Sequence, residues 1–414
     1  MAAGRPRPPP RPMPVYRARW ILPIADVPVR DGWISVEHGR IAACGSGTVE
    51  AAIDLGAVAV LPALVNAHTH LELSYLRGRV PASECFDHWV RSLMDLRRRH
   101  PDPADSQILR AAREAIREAR RTGTGLLGDV GNTLVTVALL REEGMAAHVF
   151  HELTGFDLPN PDDRVRQARA NVDAAGVEAG GVRVSLAPHA PYSVSPALFA
   201  AIRADLDAQP RGLSSVHLAE SPEEVELLRH GTGAARAMLE RLGVWTDAWP
   251  VPGVSPVAYL TRLGFLDSRV MVVHGVQLDG EDLSRLRALG VTLVSCPRSN
   301  RHVGVGTPPL EAFYAMGVRV AFGTDSLASA PDLDMFAELA EARRVAPRVP
   351  ARTLLESATL AGARALGLGD ELGSLEAGKR AALVAVRVPD DVGDVEEYLV
   401  SGIAPDAVAW IEGG

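Results

Sequence analysis

Lysine is almost missing from this chain. Of 43 lysines and arginines, only Lys379 is a lysine. Cysteine is nearly as scarce: Cys44, Cys85 and Cys296 are far apart and odd in number. That argues against a disulfide framework and for a reducing compartment. No apolar run approaches the roughly 18 residues of a membrane helix. The opening "MAAGRPRPPPRPMP" is positively charged but lacks the apolar core of a secretory signal. An excess of positive charge is absent too, since 51 acidic residues outweigh the basic ones for a net charge of −8. A nucleic-acid surface is therefore not expected. These absences point to a cytoplasmic protein with no membrane or nucleic-acid partner.

What is present is an ordinary globular composition, 47% hydrophobic and 23% charged, over 414 residues. That length suits one large barrel with an accessory domain. After a flexible Pro/Arg-rich leader (1–14), "VYRARWILPI" and "DGWISVEHGRIAACGSG" read as strands separated by turns. The far end supplies "GSLEAGKRAALVAVRV" and "AVAWIEG". Between them strands alternate with helices: "LPALVNAHTH", "GTGLLGDV", "AAHVFHEL", "VRVSLAPH", "LSSVHLAE", "RVMVVHG", "VTLVSCP" and "VRVAFGTD". Helical patterns such as "DSQILRAAREAIREARRTG" and "EDLSRLRALG" end in glycine, as a helix stop does. The expected fold is α/β: a (β/α)₈ TIM-type barrel over 61–370, with a small β-sandwich domain built from both chain ends, 15–60 and 371–414. The Pro- and Trp-rich "GVWTDAWPVPGVSPVAYL" is expected to lean over the barrel mouth.

The strand ends carry the chemistry. The first ends in His68 and His70, the fourth in His189, the fifth in His217 and Glu220, the sixth in His274, the eighth in Asp325. Sites of this fold lie where strand C-termini converge. Each residue alone has a plain structural reading. Asp325 fits a turn. Glu220 precedes "SPEE", where Ser221 fits an N-cap, Pro222 the first helical position and Glu224 the capping-box acid. Jointly they point to a metal. His68, His70 and His217 with Asp325 give three nitrogens and a carboxylate, a set suited to one Zn²⁺ per chain, with Fe²⁺ also compatible. Such an ion lowers the pKa of bound water to about 7.

The residues His68-Thr-His70, His217-Leu-Ala-Glu220, His274 and Asp325, with "LPALVNAHTH", "SCPRSN" and "GSLEAGKRAAL", resemble the amidohydrolase superfamily over nearly the whole chain. The nearest branch is that of cytosine, guanine and adenosine-type deaminases and triazine hydrolases. Ala63 and Ala382 depart from the residues usual there, glycine and aspartate, at positions away from the chemistry. Two-metal relatives use a carboxylated lysine on the fourth barrel strand. With Lys379 as the sole lysine, the resemblance implies a mononuclear site.

The resemblance further implies that Glu220 is the proton shuttle, that His274 orients or polarises water, and that Asp325 both binds metal and accepts a proton. His189, in "APHAPYSVSP", inherits a substrate contact, or else supports a ligand from behind. Trp89 lies in a segment like the nucleoside-holding loop of purine nucleoside deaminases. His88 stands where the ribose-binding glutamate is expected, which leaves Glu84 or Asp87 as substitutes. Glu152, beside His151, is a ribose or ring contact or a packing residue. Arg298 either meets a substrate anion or pairs with a neighbouring acid. "HTHLELS", "CPRSN" and "GTDSLAS" are most similar to the aminodeoxyfutalosine deaminase-like group, which serves an alternative menaquinone route. The expected activity is deamination of a purine-like heterocycle. The alternatives are hydrolysis of another non-peptide C–N bond or dechlorination of an aromatic heterocycle. A non-enzymatic role is disfavoured because the ligand set is complete. A homodimer is left open.

Overall fold

The computed structural model describes residues 14–176, 178–179 and 181–411; apart from Pro14, the expected leader lies outside them. Five strands come first: β1 (Val15–Ile21), β2 (Val29–Glu37), β3 (Arg40–Ser46), β4 (Ile53–Asp54) and β5 (Val58–Pro62). The β2–β3 hairpin turns on His38 and Gly39, both at positive φ, the geometry that matches strand twist in two-residue turns. The middle of the chain holds β6 (Leu64–Thr69), β7 (Thr124–Gly131), β8 (Ala146–Leu153), the short β9 (Glu178–Ala179), β10 (Val182–Pro188), β11 (Ser214–Leu218), β12 (Val270–His274), β13 (Thr292–Ser295) and β14 (Arg319–Phe322). β15 (Leu383–Arg387) and β16 (Val408–Trp410) close the series.

Both chain ends share one seven-stranded sheet, ordered β16-β15-β5-β1-β2-β3 with β4 beside β1. Its buried side chains share one core that includes Ile41 of β3, Val60 of β5 and Leu383 of β15. Backbone bonds from Ile41 N to Lys379 O (2.8 Å) and from Ala381 N to Gly39 O (2.9 Å) tie its far edge to the returning chain.

The eight expected barrel strands are all present, as two parallel arcs, β6-β7-β8-β10 and β11-β12-β13-β14. The arcs meet on both sides. At one seam His217 N donates to His189 O (2.9 Å); at the other Asp325 N donates to His68 O (3.1 Å). Asn66 reinforces the second seam, giving its amide to Thr324 Oγ1 (2.7 Å) and taking Thr324 N (3.1 Å). β6 is buried along its whole length, as expected of a parallel strand covered on both faces.

Helices fill the outside. In Ser106–Arg121, capped by Asp105 on Gln107 N, residues Ile108, Ala112, Ala115, Ile116 and Ala119 bury one stripe. Gly280–Leu289 ends at Gly290 in the left-handed conformation. The Trp-rich segment packs on the mouth side, with Trp245 and Trp249 against Phe156, just past the end of β8. No helix among the described residues is long and apolar enough to cross a membrane.

One reading needs correction. The run Leu61–His70 is not a single strand. Leu61 and Pro62 pair with β15 in the sheet, and the barrel begins afresh at Leu64. Pro62 has no N–H with which to continue a ladder. At the crossing Ala63 N bonds back to Ala382 O (2.8 Å).

Gly323 follows β14, where it passes behind His68. A Cβ there would lie 2.7–2.8 Å from His68 O, Cβ and N. These are fixed atoms with nowhere to go. Gly323→Ala is expected to cost about 1–3 kcal/mol, the usual range for overpacking. The check is a lower denaturant midpoint at unchanged slope.

Candidate metal centre

His68 closes the buried face of β6, and His70 follows one residue past its end. Two apart on extended chain, their side chains share a face. His217 comes from β11 and Asp325 from the loop after β14. Across the seams these residues converge. His70 Nε2 lies 3.3 Å from His217 Nε2 and 3.5 Å from Asp325 Oδ1. His68 Nε2 is 3.8 Å from the same Asp325 oxygen. The His68 ring stands edge-on to those of His70 and His217, with centroids 4.8 and 4.9 Å apart.

This donor set fits a metal ion. Both ring nitrogens of His68 are buried without a hydrogen-bond partner among the described residues, an unfavourable state for any imidazole lacking a further ligand. Two nitrogens each about 2.05 Å from a tetrahedral zinc would stand about 3.3 Å apart, as the Nε2 atoms of His70 and His217 do. Burial, reinforced by the neighbouring imidazoles, keeps the rings neutral as ligands must be. His68 is held well below the usual histidine range and His70 at about 3. Burial likewise lowers His217. Burial pushes Asp325 up, but the surrounding imidazoles and the Ser299 hydroxyl outweigh it and hold the carboxylate ionised.

Asp325 is tightly held. Its Oδ2 takes hydrogen bonds from Ser299 Oγ (2.5 Å) and Ser329 Oγ (3.0 Å), its Oδ1 from Ser326 N (2.7 Å). The serines were overlooked in the sequence, although each lies inside "CPRSN" or "GTDSLAS". Asn300, in the same "CPRSN", bonds His274 Nδ1 at 2.9 Å. His274 Nε2 then faces Glu220 Oε1 at 3.6 Å.

Glu220 sits next to a helix start, and the structure separates it from the capping. Ser221 Oγ accepts from Glu224 N (3.2 Å), while the Glu224 carboxylate takes Ala219 N (2.9 Å) and Glu220 N (3.1 Å). The capping acid thus holds the Glu220 backbone and leaves its side chain to the site. Burial, then Asp325, pushes the Glu220 carboxyl well above its usual range, so it is ready to hold a proton. Ala219, His274 and Asp325 have φ of 52°, 75° and 60°. Among the described residues they are the non-glycine residues of the barrel at positive φ, and all three are at this site.

The other predicted contacts divide. His189 lies beside His217, with centroids 5.0 Å apart. Its Nδ1 bonds Ser193 Oγ (2.6 Å), whose hydroxyl goes to Ala190 O (3.1 Å), so Nδ1 carries the hydrogen and Nε2 is free to accept. Glu152 is also in the cluster, Oε1 at 3.5 Å from His217 Nδ1. Trp89 is buried in the helix Phe86–Arg97, its indole N–H without a partner among the described residues. Arg298 stands apart. Its guanidinium reaches Asp332 (2.8 Å), Asp334 O (3.3 Å) and Glu338 (3.8 Å), so of its two readings the structure has the pairing with neighbouring acids. Asp87 is likewise occupied, by Arg91 (2.6 Å) and Arg241 (2.8 Å).

A parallel barrel carrying a three-histidine, one-carboxylate cluster at its strand C-termini defines a metal-dependent hydrolase class. Residues 59–406 match the model of the amidohydrolase family, and the chain belongs to that family. It is 33% identical over 325 residues to an aminodeoxyfutalosine deaminase of Deinococcus radiodurans, covering 75% of this chain and 74% of that one. It is 30% identical over 417 residues to a 5-methylthioadenosine/S-adenosylhomocysteine deaminase of Moorella thermoacetica, covering 94% and 90%. Among solved structures it is similar to an adenosine deaminase of Xanthomonas campestris with bound zinc. There the TM-score is 0.82 at 29% identity, over 97% of this chain and 91% of that one.

Zinc returned to chelator-treated protein is expected to raise its thermal midpoint. The linkage is worth about 4.1 kcal/mol at a thousandfold excess over Kd. In His68→Asn the shift should fall below a third of the wild-type value, read by differential scanning calorimetry with and without zinc.

Proposed function

We propose that this chain is a metal-dependent aminohydrolase that replaces the ring amino group of a purine-like nucleoside by a carbonyl and releases ammonia. The observation that carries the reading is the placement of Glu220: buried, free of its helix cap, and facing His274 at the edge of the histidine cluster. Support also comes from the named relatives, which are deaminases of adenosine-type compounds and of aminodeoxyfutalosine.

His68, His70, His217 and Asp325 would hold one Zn²⁺. When bound, that ion supplies a Lewis acid and lowers the pKa of water to about 7. The remaining work belongs to side chains. His274, fixed through Nδ1 by Asn300, presents Nε2 toward Glu220 and orients the attacking water. Asp325, braced by its serines, accepts the water's proton without swinging away. Glu220 delivers its proton to the ring nitrogen and takes one back from the hydroxyl of the resulting adduct, while Asp325 passes the proton it accepted to the departing amine, so both hydrogens of water reach nitrogen. His189 offers Nε2 as an acceptor to the substrate, with Trp89 as a further contact; Arg298, engaged by its acids, is not retained as one.

Lys379 supports the mononuclear reading. It is bonded to Ser374 Oγ (2.6 Å) and Glu376 (2.8 Å), after the barrel and away from β10, where a bridging lysine would stand. The proposal keeps the division into a barrel, begun at Leu64 and run to 370, and a β domain from both ends, and a cytoplasmic location.

Ammonia release from aminodeoxyfutalosine, 5-methylthioadenosine, adenosine, guanine and aminopterins tests the activity. Release from an adenosine-type member is expected; silence across the panel with zinc bound overturns deamination. In Glu220→Gln, turnover should fall by about 10²–10⁴-fold, the usual contribution of one placed acid–base group. Zinc content, measured by atomic absorption, should stay at the wild-type level.

A further inference from the structure

Glu152, Asn132 and Arg97 form a chain that leads from the rim of the mouth to His217. Arg97 closes the helix Phe86–Arg97 and is partly exposed; Asn132 follows β7; Glu152 lies near the end of β8 and is buried. Arg97 Nη2 donates to Asn132 Oδ1 at 3.0 Å. A guanidinium only donates, so this bond fixes which way the amide points. Asn132 Nδ2 must then donate to Glu152, and it does, to Oε2 at 2.9 Å. Glu72 locks the same corner. Its carboxylate takes Asn132 N (3.1 Å), Thr133 N (3.1 Å) and Thr133 Oγ1 (2.7 Å), with Arg97 at 3.5 Å.

The other oxygen, Glu152 Oε1, is buried and has no hydrogen bond among the described residues. Its nearest ionic neighbour is His217 Nδ1, at 3.5 Å. That nitrogen also lies 3.1 Å from His189 O. Both neighbours of His217 Nδ1 are acceptors, so that nitrogen carries the hydrogen, directed at His189 O with Glu152 Oε1 alongside. The Nε2 lone pair is then directed at His70 and Asp325. We propose that Glu152 is a positioning residue, fixing the tautomer and ring of His217 for metal binding, and that Asn132 and Arg97 hold Glu152 to that task. This rests on His217 being a metal ligand and is independent of which substrate is used.

The role differs from a grip on ribose, the other reading of Glu152, and the two are separable. Glu152→Gln cannot satisfy both neighbours. Whichever way its amide turns, an NH₂ group meets either the Asn132 NH₂ or the His217 N–H. Zinc affinity, read by chelator competition, should weaken about 10–100-fold, the usual effect of losing a carboxylate behind a ligating histidine. The thermal midpoint of the zinc-free protein should hold or rise. Saturating zinc should restore turnover with KM for nucleosides unchanged. Arg97→Gln, at the exposed end, tests the same chain without entering the core and should weaken zinc several-fold. Zinc affinity within twofold of wild type in both variants overturns the proposal. A raised nucleoside KM at saturating zinc, with KM for the free base unmoved, assigns Glu152 to the sugar instead and overturns it too. If no substrate is turned over, the deaminase reading fails while the zinc titrations still decide this one.

Discussion

Desolvation of imidazole is the constraint on which the site depends. Four rings, those of His68, His70, His217 and His274, lie within 5.8 Å of one another or of a shared neighbour, in a mouth largely closed to water. Charging any of them would place cations side by side in a low dielectric, so all stay neutral. A neutral imidazole has one hydrogen and one lone pair, and the surroundings decide which nitrogen carries which. Most of the second layer does this: Asn300 on His274, Ser193 on His189, and His189 O with Glu152 on His217. On His217 and His189 the lone pair that results points inward, the property a cation needs; on His274, where Asn300 Nδ2 donates to Nδ1, an N–H points inward instead.

The backbone is arranged to the same end, at a cost. Ala219, His274 and Asp325 hold left-handed conformations worth about 1–3 kcal/mol each against them. Neighbours hold Ala219 and Asp325. Glu224 takes the amides of Ala219 and Glu220, and Thr69 Oγ1 bonds Asp325 O (2.9 Å) across the seam. These turns lie at or just past the ends of β11, β12 and β14, where Glu220, His274 and Asp325 meet the histidine cluster.

What the sequence made legible follows from period. A strand end is easy to place when apolar alternation stops at a histidine, as in the first, fourth, fifth and sixth barrel strands; the others were readable from their apolar runs between helical patterns. Pairing across the ring is not local, and there reading failed in specific ways. The break at Ala63 was hidden because β5 and β6 are both apolar and nearly continuous. Arg298 was readable either as a substrate contact or as the partner of a neighbouring acid, and the sequence did not name the acids beside it, Asp332 and Glu338. Ser299 and Asn300 stood beside it in plain view; only the seam shows that they meet Asp325 and His274. Glu152 was found as a residue of the mouth, but its tie to His217 joins strands that are not consecutive.

The scarcity of lysine now has a chemical meaning. An arginine keeps its proton at any working pH and offers no amine for carboxylation or for a Schiff base. A chain whose single lysine is committed to Ser374 and Glu376 therefore has no amine chemistry near its barrel mouth. Arginine does appear there, as Arg97. Its Nη2 meets Asn132 Oδ1 and Glu72 together and, because a guanidinium only donates, fixes the orientation of an amide. Bond making at this site is left to imidazoles, carboxylates and whatever cation they share, and the arginine contributes direction rather than reactivity.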